Sequence, residues 1–171
     1  MVELIRTCVK IHSRGSRFND LEAIYKYSEM GYFIMWLYEN KEFDGEDLSD
    51  FAGFVYIITN SETNKKYIGK KLFKNTRHVR LKSKKRREKR VTESDWKDYF
   101  GSNKVLIEDV ASMGADKFQR EILRLCATKG ECNYWEAHYQ FKHEVLLHPE
   151  DWYNEHIWVR VHRTHVNKII K

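Results

Sequence analysis

The chain has 171 residues, 42% hydrophobic and 14% aromatic, with a single proline. That suffices for one folded domain with a modest addition, and it excludes a wholly disordered chain or a proline-rich linker. The net charge of +6 conceals a split: residues 65–90 carry 14 of the 31 Lys and Arg against one acid, Glu88, and the remainder has a net charge of −7. A basic block on an otherwise acidic protein is the footprint expected for a phosphate backbone.

No apolar run approaches the ~20 residues that span a bilayer. The opening stretch, MVELIRTCVKIHSRG, lacks the apolar segment and small-residue cleavage site of a signal peptide. The expected setting is the cytoplasm, with no membrane partner. Cys8, Cys126 and Cys132 show no paired spacing, so neither a disulfide framework nor a cysteine zinc site is expected. Buried free thiols are the simpler reading. His162 and His165 lie three apart but lack the further ligands that a zinc site needs.

Residues 1–34 carry no chemistry. Leu21, Ile24, Tyr25 and Tyr32 fall loosely on one helical face over Arg17–Ile34, interrupted by Gly31. Two readings stand: a small N-terminal arm, or an extension ahead of a start at Met35. Met35–Phe43 predicts a short hairpin turning at Glu39-Asn40, and an acidic link with Asp44, Glu46, Asp47 and Asp50 follows. Residues 53–69, GFVYIITNSETNKKYIG, predict a longer hairpin. Its first arm, Phe54–Asn60, is β-branched and aromatic, with Val55, Ile57 and Thr59 on one face and Phe54, Tyr56 and Ile58 on the other. Ser61, Thr63 and Asn64 favour the reversal. The second arm, Lys66–Gly69, brings Tyr67 toward Tyr56 and ends at a glycine that permits a sharp exit.

Beyond Gly69 come Lys70, Lys71 and Lys74, then RHVRLKSKKRREKR over Arg77–Arg90. Without an apolar period, this run predicts a loop or a frayed helix ordered by DNA. The plain alternative is a solvated tail or localisation signal. Tails sit at termini, whereas this run sits directly behind the hairpin. Ser94 is read as the cap of a short helix carrying Trp96, Tyr99 and Phe100 and closed by Gly101. Ser102 or Asn103 caps a helix to Met113, with Leu106, Val110 and Met113 in register. Lys117–Cys126 predicts a strand. Thr128 and Glu131 form a capping box for a helix over about Lys129–Leu146. Glu136 sits there at the edge of a Cys132, Trp135, Tyr139 stripe. Trp152, Tyr153 and Asn154 follow Pro149, and the last stretch alternates as an edge strand would, or forms a basic tail.

The order β-β-α-α-β-α predicts an α/β (α+β) fold with a three-stranded antiparallel sheet flanked by helices. Over roughly residues 53–155 the chain resembles the GIY-YIG nuclease family. Tyr67-Ile68-Gly69 matches the second motif of that family literally. Phe54-Val55-Tyr56 stands at the first, keeping the tyrosine, with Val55 for isoleucine, Phe54 for glycine and Gly53 one position early. The FVYIITN, KKYIGKK and ESDWKDYFGS segments look most like the seg-type group of tailed bacteriophages, which includes homing-type endonucleases. The expected plan is an N-terminal extension over 1–34, a hairpin and acidic link over 35–52, the nuclease domain over 53–155 and a basic segment over 156–171.

The resemblance implies a metal-dependent DNA endonuclease that hydrolyses phosphodiester bonds with Mg²⁺ or Mn²⁺. If phage-encoded, it would act in the host cytoplasm. The resemblance also implies that Tyr56 accepts the proton of the attacking water, that Tyr67 orients or assists it, and that Glu136 ligates the metal. An arginine behind the second motif is expected on the phosphate. Arg77 is the choice, with Arg80 and Arg90 as alternatives, because Leu81 stands where the family often has histidine. Lys70, Lys71, Lys74, Arg80, Lys84, Lys85, Arg86, Arg87 and Arg90 are expected DNA contacts. Asn154, directly behind Tyr153, is expected to position Glu136 or the strand ends. The competing readings are a non-catalytic nucleic-acid-binding module on the same fold and a restriction-type nuclease.

Overall fold

The computed structural model describes residues 35–46, 48–80 and 87–166. Strands β1 (Trp36–Tyr38) and β2 (Lys41–Phe43) form the first expected hairpin. Glu39 and Asn40 turn it with φ of 51° and 62°, the left-handed pair that suits a two-residue turn. β3 (Gly53–Asn60) and β4 (Lys66–Leu72) form the second, and β4 continues in register past Gly69, where the arm was expected to end, to Leu72. β5 (Lys74–Val79) and β6 (Glu88–Glu93) follow, then α1 (Lys104–Met113), β7 (Phe118–Cys126) and α2 (Lys129–Lys142).

The main sheet has the order β2-β1-β7-β3-β4. Its β7-β3-β4 part is antiparallel and is the expected three-stranded core. The first hairpin widens it to five strands, because β1 pairs with β7 in parallel. The sheet therefore continues across the boundary read at residue 53.

β3 is covered on both sides, which is why its sequence is apolar almost throughout. Phe54, Tyr56 and Ile58 pack with Trp36, Phe73, Trp96 and the α1 residues Leu106 and Val110. Val55 packs on the opposite side with Ile68, Cys126, Val145 and Cys132 of α2. Each fully buried side chain of this kind contributes about 1.5–3 kcal/mol. Cys126 and Cys132 are free and buried, as expected.

The helix caps follow the sequence with small shifts. Asn103 caps α1, its Oδ1 accepting from the Leu106 amide at 3.0 Å. Thr128 caps α2 by accepting from the Glu131 amide at 3.1 Å, but Glu131 reaches back to the amide of Ala127 at 2.9 Å, one residue beyond the cap. α2 stops at Lys142, short of Leu146: Glu144 adopts φ 50°, and this left-handed step turns Val145 into the core.

Three expectations change. The short helix over Ser94–Gly101 is only a 3-10 turn, Trp96–Asp98. Arg120 takes the carbonyls of Lys97 and Tyr99 at 2.8 and 3.2 Å, groups that a longer helix would have bonded internally. The basic run is neither loop nor frayed helix where it is described: β5 and β6 pair as a separate antiparallel ribbon. Thr76, Val79, Val91 and Thr92 supply the β-branched content for it. Lys84, Lys85 and Arg86 lie outside the described residues. Finally, the described part of the C-terminal segment forms no strand. It ends in a 3-10 turn, Arg163–His165, closed by His162 and His165, with the His162 amide donating to His165 Nδ1 at 3.1 Å. Among the described residues, no helix is long and apolar enough to cross a membrane.

Candidate active site

β4 lies at the edge of the sheet, so its outward N–H and C=O groups need partners from elsewhere. The segment behind α2 provides them. The Lys66 amide donates to the Asp151 carbonyl, and the Tyr153 amide donates to the Lys66 carbonyl, both at 2.8 Å. The next pair is completed by a side chain. The Ile68 amide donates to Asn154 Oδ1 at 3.0 Å, and Asn154 Nδ2 donates to the Ile68 carbonyl at 2.8 Å. The Asn154 amide thus stands in for one more peptide of a paired strand. Gln140 of α2 donates to the same carbonyl at 3.0 Å. Asn154 therefore fixes the centre of β4, between Tyr67 and Gly69, rather than Glu136 itself.

Strand alternation divides the residues of that edge. Tyr67, Gly69 and Lys71 share the face of Tyr56, while Ile68 and Lys70 face α2. Tyr56 is buried and lies opposite Gly69 in the β3–β4 register. A Cβ at Gly69 would stand 2.5 Å from the Tyr56 hydroxyl and 2.9 Å from Tyr67 Cε1, so only glycine leaves room for both phenols. Their ring centroids are 6.2 Å apart.

Of the surrounding groups, Lys71 was expected as a DNA contact, whereas Tyr99, Ser102 and Asp95 were not singled out as site residues. Tyr99 meets Tyr56 edge-on at 6.1 Å. The Tyr67 hydroxyl shares a hydrogen bond with Ser102 at 3.2 Å. Lys71 donates to Asp95 at 2.7 Å and lies 3.4 Å above the Tyr99 ring centroid. Tyr99, Ser102 and Asp95 come from the ESDWKDYFGS stretch, where Tyr99 read simply as apolar helix face. Its hydroxyl was the available signal. Arg120 holds this stretch from below, stacked on Trp36 and Phe100 at 4.8 and 4.4 Å. Burial lowers its pKa to about 10, so it remains charged at neutral pH.

Glu136 projects from α2 with its side chain 13% exposed and ion-paired to Lys70. Burial pushes its carboxyl above the usual range, against the pull of Lys70 and, more weakly, His156. Its charge is felt across the edge by both motif tyrosines. Burial, then Tyr99, Tyr67 and Glu136, hold the Tyr56 phenol well above its ordinary pKa of 10. Burial raises Tyr67 as well, with Ser102 opposing and Glu136 adding. Both phenols are therefore neutral hydrogen-bonding groups in the free protein.

The expected arginines lie apart from this cluster. Arg77 is exposed on β5, directly opposite Arg90 of β6. Among the described residues, no hydrogen bond or ion pair joins Arg77 to Tyr56, Tyr67 or Glu136. Lys74, Arg80 and Arg87 are likewise exposed on the ribbon or at its strand ends. A separate exposed group, His148, Glu150 and Asp151, has ligand atoms within 4.8 Å of one another. His148 is already within ion-pair range of Glu144 and Glu150, at 3.9 and 3.7 Å.

The antiparallel core, a tyrosine on each arm of the β3–β4 hairpin and a helix glutamate at the edge are the features of a GIY-YIG domain. The family model described as "Putative endonuclease segE, GIY-YIG domain" matches residues 36–157, so the chain belongs to this family, in its seg-type branch. The match begins at β1 and so takes in the first hairpin. No curated protein and no solved structure matches the chain.

Proposed function

We propose that this protein is a metal-dependent endonuclease that hydrolyses phosphodiester bonds in DNA, in a phage homing-type setting. The observation that carries the reading is that Tyr56 and Tyr67 close on Gly69 from one face of β4 while Glu136 meets Lys70 on the other, its charge acting on both phenols across the edge, on a domain of a nuclease family. In this reading the two phenols position the attacking water. Tyr56 would take its proton only with added positive charge nearby, because burial opposes the phenolate. Lys70, on the α2 side of β4, and Lys71, above the Tyr99 ring, exchange Glu136 and Asp95 for phosphate oxygens when DNA binds.

Glu136 would hold Mg²⁺ or Mn²⁺. One partly buried carboxylate fits a hard cation that takes its remaining oxygens from water and substrate. Bound there, the metal would supply charge stabilisation to the phosphate. Asn154 acts indirectly, by keeping β4 and hence Tyr67 in place. The test is incubation of the protein with supercoiled plasmid in Mg²⁺, in Mn²⁺ and in EDTA, followed by mapping of the ends. Nicked or linear product in metal and intact plasmid in EDTA is expected. Plasmid left intact in both metals by a folded protein that binds it would favour the non-catalytic module. Cuts confined to one short palindrome would favour a restriction-type nuclease.

A further inference from the structure

The β5–β6 ribbon has little internal reason to be ordered. Every residue of β6 is exposed, and in β5 only Val79 is partly covered. A two-stranded ribbon without a buried face is marginal in water. Its register also sets Arg77 directly opposite Arg90, a like-charge pair that opposes the pairing. An anionic partner would relieve that repulsion.

The register sorts its side chains into two faces. Lys74 and Glu93, Thr76 and Val91, and His78 and Lys89 share one. Asn75 and Thr92, Arg77 and Arg90, and Val79 and Glu88 share the other. The first face turns toward the domain at its base, where Glu93 accepts from Nε1 of the buried Trp96 at 3.2 Å. On the second face Val79 is partly covered at the far end, while Asn75, Arg77, Arg90 and Thr92 are all exposed. On it Asn75, Arg77, Arg90 and Thr92 are neighbours. A grip on phosphate alone needs only positive charge. These four are instead side chains suited to base edges: arginine to guanine O6 and N7, asparagine to adenine N6 and N7, threonine to either base or to the thymine methyl.

We propose that β5–β6 enters the major groove of duplex DNA, which admits a two-stranded ribbon, and that Asn75, Arg77, Arg90 and Thr92 read the bases there. This rests on the reading of the protein as a DNA endonuclease. It gives Arg77 a recognition role in place of a catalytic one.

The experiment separates the two readings by measuring binding without cleavage. The full chain is mixed, in EDTA, with duplexes carrying a randomised segment, and the bound fraction is sequenced. The unaltered protein should enrich a short motif containing guanine and adenine. Asn75→Ala should lose the preference at the adenine and Arg90→Ala at the guanine, with melting temperatures unchanged. In the unaltered protein, replacing the motif guanine by 7-deazaguanine removes only a major-groove acceptor and should weaken binding roughly 5- to 150-fold. An unselective bound pool overturns the proposal, and so does a motif indifferent to both substitutions and to 7-deazaguanine. Equal affinity for an RNA duplex of the same sequence also overturns it, because the major groove of A-form RNA is too narrow to enter. A selective pool beside uncut plasmid in Mg²⁺ and Mn²⁺ would sink the nuclease reading and leave the ribbon proposal standing.

Discussion

β4 and β5 are separated by one residue, Phe73, yet they are built on opposite terms. Along β4 the outward groups of Lys66 and Ile68 are bonded within the protein, by Asp151, Tyr153, Asn154 and Gln140. Along β5 nearly every side chain is exposed. Phe73 marks the change: it is buried, with its ring 5.1 Å from Phe54 and 5.3 Å from Trp96, and its carbonyl accepts from the Ser94 amide at 2.9 Å. On the proposed reading, groups that hold positions for chemistry are tied down internally, and groups that meet DNA are left for it to complete.

The contrast is easiest to break at Gly69. Gly69→Ala would push the new methyl into both phenols, and a displacement near 1 Å at a reacting centre costs about 10²-fold in rate. Plasmid cleavage should fall by that order while duplex binding persists. Unchanged cleavage would show that the spacing of Tyr56 and Tyr67 is irrelevant.

Asn154→Ala comes next. It leaves the Ile68 amide without its acceptor at a buried edge, a cost of about 1–3 kcal/mol. For a chain of this size that is a fall in melting temperature of roughly 2–4 °C per kcal/mol. Lys74→Ala and Lys89→Ala on the ribbon should show the reverse pattern. Stability should move by less than about 0.5 kcal/mol. The slope of log affinity against log salt should flatten by about 0.9 for each phosphate that the protein no longer neutralises. A melting temperature that falls as far for Lys89→Ala as for Asn154→Ala would erase the distinction between the strands.

The smallest effect lies between the two regions, at Asp95. Burial raises its carboxyl, but the hydrogen bond and charge of Lys71 outweigh that and hold it below its ordinary 3.8. A lowered folded-state pKa adds stability above the unfolded value, and this is lost as pH falls through the folded value. The pair should therefore contribute at neutral pH and stop contributing only in acid. Asp95→Asn should slightly flatten the acid side of a melting-temperature profile. Because Asp95 is 57% exposed, solvent screens most of the effect. An unaltered acid limb would show that the ion pair is incidental.

Local signals carried much of this fold. The alternation of Phe54–Asn60, the turn at Glu39-Asn40 and the caps at Asn103 and Thr128 each depend on a few neighbouring residues, and each recurs in the structure. The parallel pairing of β1 with β7 joins segments far apart in sequence, and no local pattern announces it. The ribbon escaped for a different reason: with no buried face it has no apolar period to read. In the candidate site, Tyr56, Tyr67 and Glu136 could be picked out through the motif resemblance. Tyr99, Ser102 and Asp95 were hidden because an aromatic turn reads as core whether or not its hydroxyl is used. Asn154 was legible as a position, but its bonds to Ile68 required the edge strand to be known.

The claim on which the account turns is that Glu136 and the two phenols form one catalytic centre at the edge of β4. Its most direct test is single-turnover plasmid cleavage by Glu136→Gln beside the unaltered protein, with duplex binding in EDTA measured on the same samples. Glu136→Gln should lose cleavage by at least about 10²-fold, with binding retained. A Glu136→Gln protein that binds and cuts at the unaltered rate would contradict it.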